Sequence, residues 1–204
     1  MQRGKADFGL LLVGILWGLG FVFVKIGLNE GITPFYLLTI RFLVAFIILF
    51  IIFRSRLKNI EKLDLKNGFI IATFLFLGFA FQISGAALTT ASNNAFFTAI
   101  NVIIVPYIFW AIHKHVPNIF SFIAAGLCIL GVGVLSFDSK MQFNQLNEGD
   151  ILTIISALFF AFHIAFTGFL STKSEPIKLN VIQMGFTSVY SLIALVIFSN
   201  TEKI

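Results

Sequence analysis

Residues 8–24 read FGLLLVGILWGLGFVFV, seventeen positions without a charge. A helix needs about 20 apolar residues, each rising 1.5 Å, to cross the ~30 Å of hydrocarbon in a bilayer, and this run comes close to that. Two more charge-free stretches, 42–53 and 68–81, follow within the first half of the chain. Over all 204 residues 58% are hydrophobic and 11% charged, with a mean hydropathy of +0.99, more than a water-soluble core absorbs. The expected fold is therefore all-α, a polytopic membrane helical bundle. Seven spans are expected, at Asp7–Leu28, Pro34–Phe53, Gly68–Leu88, Asn94–Ile112, Pro117–Phe137, Gly149–Leu170 and Leu179–Phe198. Together they take roughly 140 positions and leave no room for a soluble domain, which disfavours a loop-built active site and a nucleic-acid module. Cys128 is the single cysteine, so there is no intrachain disulfide and no zinc cluster. Arg3 and Lys5 precede a run too long for a signal peptide, which reads as an uncleaved first helix.

Charge placement orients the bundle. The N-terminus and the loops from even to odd spans carry Arg3, Lys5, Lys114, Lys173, Lys178 and the five basic residues of a long loop, Arg54 to Asn67; the other side carries Lys140 and Lys203. The positive-inside rule puts the N-terminus in the cytoplasm and, with seven spans, this chain's C-terminus outside, in a cell or inner membrane. The net charge of +5 is thus a topology signal. Lys25 and Arg41 fall inside spans, and no acidic residue is expected there.

A shift of 143 positions lays the first span on the sixth. Asp7 falls on Asp150, Gly14 and Gly18 on Ala157 and Ala161, and Trp17 on Phe160; with one residue of slippage Pro34 falls on Pro176 and Arg41 on Gln183. Five spans separate the copies, and an odd number inverts the second in the membrane. Inverted repeats mark secondary transporters that bind solute near the midplane between the halves.

These residues resemble a known family, the ten-helix EamA-type branch of the drug/metabolite transporters. Trp17-Gly18 with Phe21-Val22 and Lys25 is similar to that family's first-helix pattern, and Pro34 with Arg41-Phe42 to its second. Ala86-Ala87-Leu88, Ala91-Ser92 and Pro106 resemble its third-to-fourth helix junction. Gly126 with Gly131-Val132-Gly133 resembles its fifth helix, and Gly149-Asp150 with Phe160-Ala161 its sixth. The resemblance implies two five-helix repeats around a central solute cavity, without naming the solute. Residues 1–137 would form the first repeat, 138–148 an external linker, and 149–204 an incomplete second repeat with two of its five helices. A 143-residue repeat predicts a two-fold molecule of about 286 residues. The chain is accordingly expected to be a fragment, a truncated frame, or a chain that needs a partner, either a second copy in a homodimer or a missing C-terminal half.

The candidate solute contacts are few. Arg41 lies seven residues past Pro34, about 10 Å deep, where a cation costs roughly 2.5–3.5 kcal/mol unless something offsets it. Either it snorkels to headgroups, or it faces the interior to bind an anionic group or backbone carbonyls. Lys25, about a turn from the end of the first span, carries the same two readings. Gln82, Thr98 and Asn101 are uncharged candidates near Pro106, whose missing N–H frees the carbonyl of Val102; interhelical hydrogen bonding is the structural alternative. Asn93 or Asn94 is expected to cap the fourth span. Trp17 and Phe160 are candidate aromatic walls or plain packing residues. His163 is a relay or a hydrogen-bonded core histidine, while His113 and His115 point to different faces and make no metal site. Gly14-x-x-x-Gly18 and the series Gly78, Gln82, Gly85 are expected to allow close helix approach.

The expected function is secondary transport of a small organic solute, anionic or carboxylate-bearing if the two cations serve it. The expected surroundings are lipid, with no cofactor and no nucleic acid. A membrane enzyme is disfavoured because no acid, base and nucleophile converge; a non-transporting assembly subunit is the third reading.

Overall fold

The computed structural model describes residues 2–114, 118–136 and 146–198. They form eight helical segments: α1 (Gln2–Asn29), α2 (Pro34–Phe53), α3 (Lys62–Leu88), α4 (Ala91–Thr98), α5 (Asn101–His113), α6 (Ile119–Ser136), α7 (Glu148–Leu170) and α8 (Pro176–Phe198). Most of the expected linker 138–148 lies outside the described residues, as do His115, Lys140 and Lys203. Among the described residues six stretches are long and apolar enough to cross a membrane, α4 and α5 together making one of them. The chain is thus a polytopic helical bundle, as expected.

Several boundaries differ from expectation, and each has a local cause. α3 begins at Lys62 instead of Gly68 because Glu61 and Asp64 close a capping box, each side chain accepting from the other's backbone. The polar start Lys-Leu-Asp-Leu-Lys-Asn is a helical extension beyond the hydrocarbon, and the basic loop shrinks to residues 54–61. α8 starts with Pro176 at its first position, where a missing N–H costs nothing. Thr90, not Asn93 or Asn94, caps α4: its Oγ1 accepts from the Asn93 N–H at 3.1 Å. Gly31, with φ of +82°, makes the turn between α1 and α2 in a backbone region that side chains disfavour.

The fourth span is interrupted at Ala99-Ile100. N–H groups there bond to carbonyls three residues back: Ala99 to Phe96 at 3.1 Å, Ile100 to Phe97 at 3.3 Å. One turn earlier the Thr98 hydroxyl donates to the Asn94 carbonyl at 2.7 Å, a back-bond that bends helices. The break thus precedes Pro106, which sits inside α5.

α3 is the centre of the bundle, packed against α7 and α8, while α2 packs on α8. The α3–α7 pair is antiparallel. Gly85 meets Gly149 and Thr153, Gly78 meets Phe160, and Ile71 shares a cluster with Leu170. A Cβ on Gly85 would lie 2.7 Å from the Gly149 carbonyl oxygen, and one on Gly149 2.7 Å from that of Gly85, so both glycines are needed for this approach. In lipid, where apolar surface gains nothing by hiding from tails, such close packing is the main attraction between helices. Phe74 stacking on Phe162 and Phe166, and Phe81 on Phe159, extend it.

α3 and α8 are parallel, with Gly68 against Ile182 and Thr73 near Tyr190. α2 and α8 are antiparallel, with Phe35 stacked on Phe198, Gly185 against Phe46, and Arg56 paired with Glu175 at 3.3 Å.

Candidate solute site

Arg41 projects from α2 onto α3, its guanidinium carbon 4.6 Å from the centre of the Phe79 ring. Phe79 in turn meets Phe42 edge-on at 5.1 Å and Phe160 at 4.9 Å. Phe42 and Phe160 are buried with Leu38, Leu75 and Ile83 in the larger core cluster. The cation is offset by the negative face of a ring that belongs to this core. No carboxylate among the described residues pairs with it. Residue 41 is exposed on the bundle surface.

Phe160 is therefore brought to Arg41 through Phe79, and Trp17 is not. Trp17 is 69% exposed, whereas Phe160 is buried. The close approach expected at Gly14-x-x-x-Gly18 is likewise absent, since nothing lies within 4 Å of a Cβ at either glycine. The series Gly78, Gln82, Gly85 fulfils its expectation against α7.

Lys25 finds a partner that the sequence did not show. Its Nζ donates to the carbonyl of Ala86 at 2.8 Å and lies 3.4 Å from that of Ala87, in the last turn of α3. Four carbonyls end every helix without an internal partner, and the partial negative charge gathered there suits a cation. Of its two readings, the contact with protein replaces the snorkel.

Gln82 and Thr98 are brought together. Gln82 Nε2 donates to Thr98 Oγ1 at 3.1 Å, within a buried network that joins the end of α3, α4 and the start of α7. Asn94 Nδ2 donates to the Gln82 carbonyl at 3.0 Å and to Thr153 Oγ1 at 2.8 Å. Asp150, 2% exposed, accepts from Thr89 Oγ1 at 2.6 Å, from Asn93 Nδ2 at 3.3 Å and from the Asn147 N–H at 3.1 Å. These groups are satisfied by one another. Asn101 sits half-buried past the helix break and joins none of these bonds.

Asp150, in the first turn of α7, corrects the expectation that no acid lies within a span, and Asp64 is a second buried acid, in the polar extension of α3. Asp64 is buried at the opposite end of α3, 3.9 Å from Lys178 Nζ, which also donates to the Asn59 carbonyl at 3.0 Å. Both acids stand third in a helix behind a capping partner, Asn147 for Asp150 and Glu61 for Asp64. The spacing Asn147-x-x-Asp150 was the signal that would have found one. The contacts of Lys178 and of Arg56 with Glu175 also gather loops 54–61 and 171–175 at one end of the bundle.

His163 on α7 pairs with Gln183 on α8, Nε2 to Oε1 at 2.9 Å, and Gln183 Nε2 donates to Asn180 Oδ1 at 2.8 Å. Gln183 is thus the side-chain hydrogen-bond partner of His163.

With this geometry in place, comparison with known proteins decides the family. A model of the EamA-like transporter family matches residues 4–137. The chain belongs to this family. It is 36% identical over 179 residues to an uncharacterized transporter of Archaeoglobus fulgidus, an alignment covering 88% of the chain and 54% of that protein. The chain spans about half the length of this curated relative. No solved structure matches it significantly.

Proposed function

We propose that the chain works in secondary transport of a small organic solute, through alternating movement of two inverted repeats, residues 1–137 and 149–204, joined by an external linker. The observation that carries this reading is the pairing of α2 with α8. They are counterparts under the 143-residue repeat, and they pack antiparallel, as a two-fold axis lying in the membrane plane between them requires. Family membership supports transport over catalysis. The basic loop and Lys173 and Lys178 share one end of the bundle, which supports a cytoplasmic N-terminus in the cell membrane.

In this reading the solute carries a carboxylate or another anionic group, and Arg41 meets it on the guanidinium face that Phe79 leaves free. An anion bound there competes with lipid and water for a cation already held by a ring, so binding does not strand a bare charge. Arg41→Gln keeps a polar side chain but removes the charge. Uptake of labelled carboxylate-bearing solutes, such as amino acids, into vesicles holding the full-length protein should be saturable and fall at least tenfold in this variant. Undiminished uptake removes Arg41 from the mechanism.

A further inference from the structure

α7 and α8 both pack on α3 but have almost no close backbone approach of their own. At the end of the bundle where α2 stops, the gap between them opens into a cavity of about 360 Å³. Phe53 from α2, Ile71 from α3 and Leu179 from α8 give it apolar walls. Four uncharged polar side chains also face it: Thr167, Ser171, Asn180 and Gln183. None of these residues belongs to the Arg41 and Phe79 contact, so this is a second place on the molecule.

One of the four is unsatisfied. Thr167 Oγ1 is buried and has no hydrogen-bond partner. A threonine in a helix ordinarily bonds the carbonyl four residues back, as Thr39 does to Phe35 at 2.7 Å and Thr73 to Phe69 at 2.9 Å. A buried hydroxyl that forgoes this bond carries a desolvation cost. Beside it, Ser171 Oγ donates to the Gly168 carbonyl at 3.0 Å and keeps its lone pairs. Asn180 and Gln183 engage each other through one atom apiece. The cavity therefore offers donors and acceptors in a volume that suits a small metabolite. No charged side chain lines it, so an ion entering would be desolvated without a counter-charge.

We propose that this crevice binds a small neutral solute carrying a carboxamide, or a similar adjacent donor and acceptor, on a compact apolar body. The polar end bonds the Asn180 and Gln183 carboxamides and the Thr167 hydroxyl, which turns about its χ1 from its unpartnered buried position to reach the solute, and the apolar end lies against Phe53, Ile71 and Leu179. Because Gln183 Oε1 also holds His163 Nε2, occupancy alters the hydrogen bond of that imidazole. The proposal does not depend on transport, and its test measures binding alone.

Benzamide is the probe, and benzoate, of nearly the same shape but charged, is the control. The full chain is labelled with ¹⁵N-histidine in lipid nanodiscs, and the His163 ring signals are identified by their loss in His163→Gln. Benzamide is expected to shift them saturably, benzoate to leave them unmoved over the same range, and Thr167→Val to weaken benzamide about tenfold, the loss of one hydrogen bond. A linear response, an equal response to benzoate, or undiminished affinity in Thr167→Val overturns the proposal. Should the ligand-free His163 signals of that variant differ from wild type, Ser171→Leu decides instead: it crowds the cavity from the end of α7, and benzamide binding retained in it counts against the site.

Discussion

α1 and α7 carry the same pattern, two small residues four apart with an aromatic before the second, and they meet opposite fates. In α7, Ala157 and Ala161 are fully buried and Phe160 fills the gap over Gly78. In α1 no described side chain of the apolar stretch is buried, Trp17 faces outward, and the glycines touch nothing. A small-x-x-x-small pair states that a helix can be approached closely; it does not state that a partner comes. What separates the two is the facing helix. α3 presents Gly78 and Gly85 to α7, so both sides are recessed, whereas α1 reaches it only near its own C-terminal end, through Val24 and Leu28 on the core cluster and the Lys25 amine on the terminal carbonyls.

The difference can be broken first at the glycines. Gly149→Leu should be the most damaging change, since even its Cβ meets backbone at 2.7 Å and 2.8 Å on α3. Because that backbone cannot turn aside as a side chain can, the cost should pass the usual ~1–3 kcal/mol of overpacking and exceed about 5 kcal/mol, read as a large fall in midpoint during unfolding in detergent. The corresponding changes in α1, Gly14→Ala and Gly18→Ala, should leave that midpoint within about 0.5 kcal/mol or raise it through better helix propensity. Equal damage in both helices would show that α1 has a packed partner after all.

A smaller effect is expected from Asp150→Ala. It strips the capping box and leaves Thr89 and Asn93 without their acceptor. The cost should be about 2–3 kcal/mol, a charged acceptor lost from a buried set of donors. Asp150→Asn should recover part of it.

Lys25→Met tests the α1 side. Removing a charged hydrogen bond to the α3 carbonyls should cost about 1.5–3 kcal/mol at most, and less to the degree that lipid headgroups compensate. Its sharper signature is local: faster amide exchange in α1 and unchanged exchange in α7. The smallest effect belongs to the aromatics on the open face, where Trp17→Ala should leave stability within about 0.5 kcal/mol. Phe160→Ala should cost about 3–5 kcal/mol.

Most of the bundle was legible because hydropathy runs report directly on lipid. The helical bundle and most of its spans rest on residues such as Pro34, Pro176 and the charge-free stretch at 8–24. Less was legible wherever a polar residue served another helix. Asp64, Asn67 and Lys66 look like loop in a hydropathy reading, yet Asn67 is buried and donates to Ser174 Oγ at 3.0 Å. Asn94 reads as a cap and is instead a buried bridge to Thr153. Lys25 has its partner on a backbone, and side-chain identity carries no trace of backbone carbonyls. Phe79, the residue that holds Arg41, is one of 27 phenylalanines, and nothing local distinguishes it. Partner choice is a tertiary property, and a single sequence encodes it only through complementary shapes on helices far apart in the chain.

The central place of α3 has a consequence for synthesis. Its packed faces, from Asn67 and Gly68 through Gly78 to Gly85, are covered by α7 and α8. Those helices begin to leave the ribosome about sixty residues after α3 ends, α3 closing at Leu88 and α7 opening at Glu148. α3 must enter the bilayer with its recessed surface and its polar groups uncovered and wait there while α4, α5 and α6 are inserted. The part of the chain up to α6 is thus a nascent intermediate completed from behind, and the insertion machinery or transient lipid contacts must shield α3 until α7 and α8 arrive.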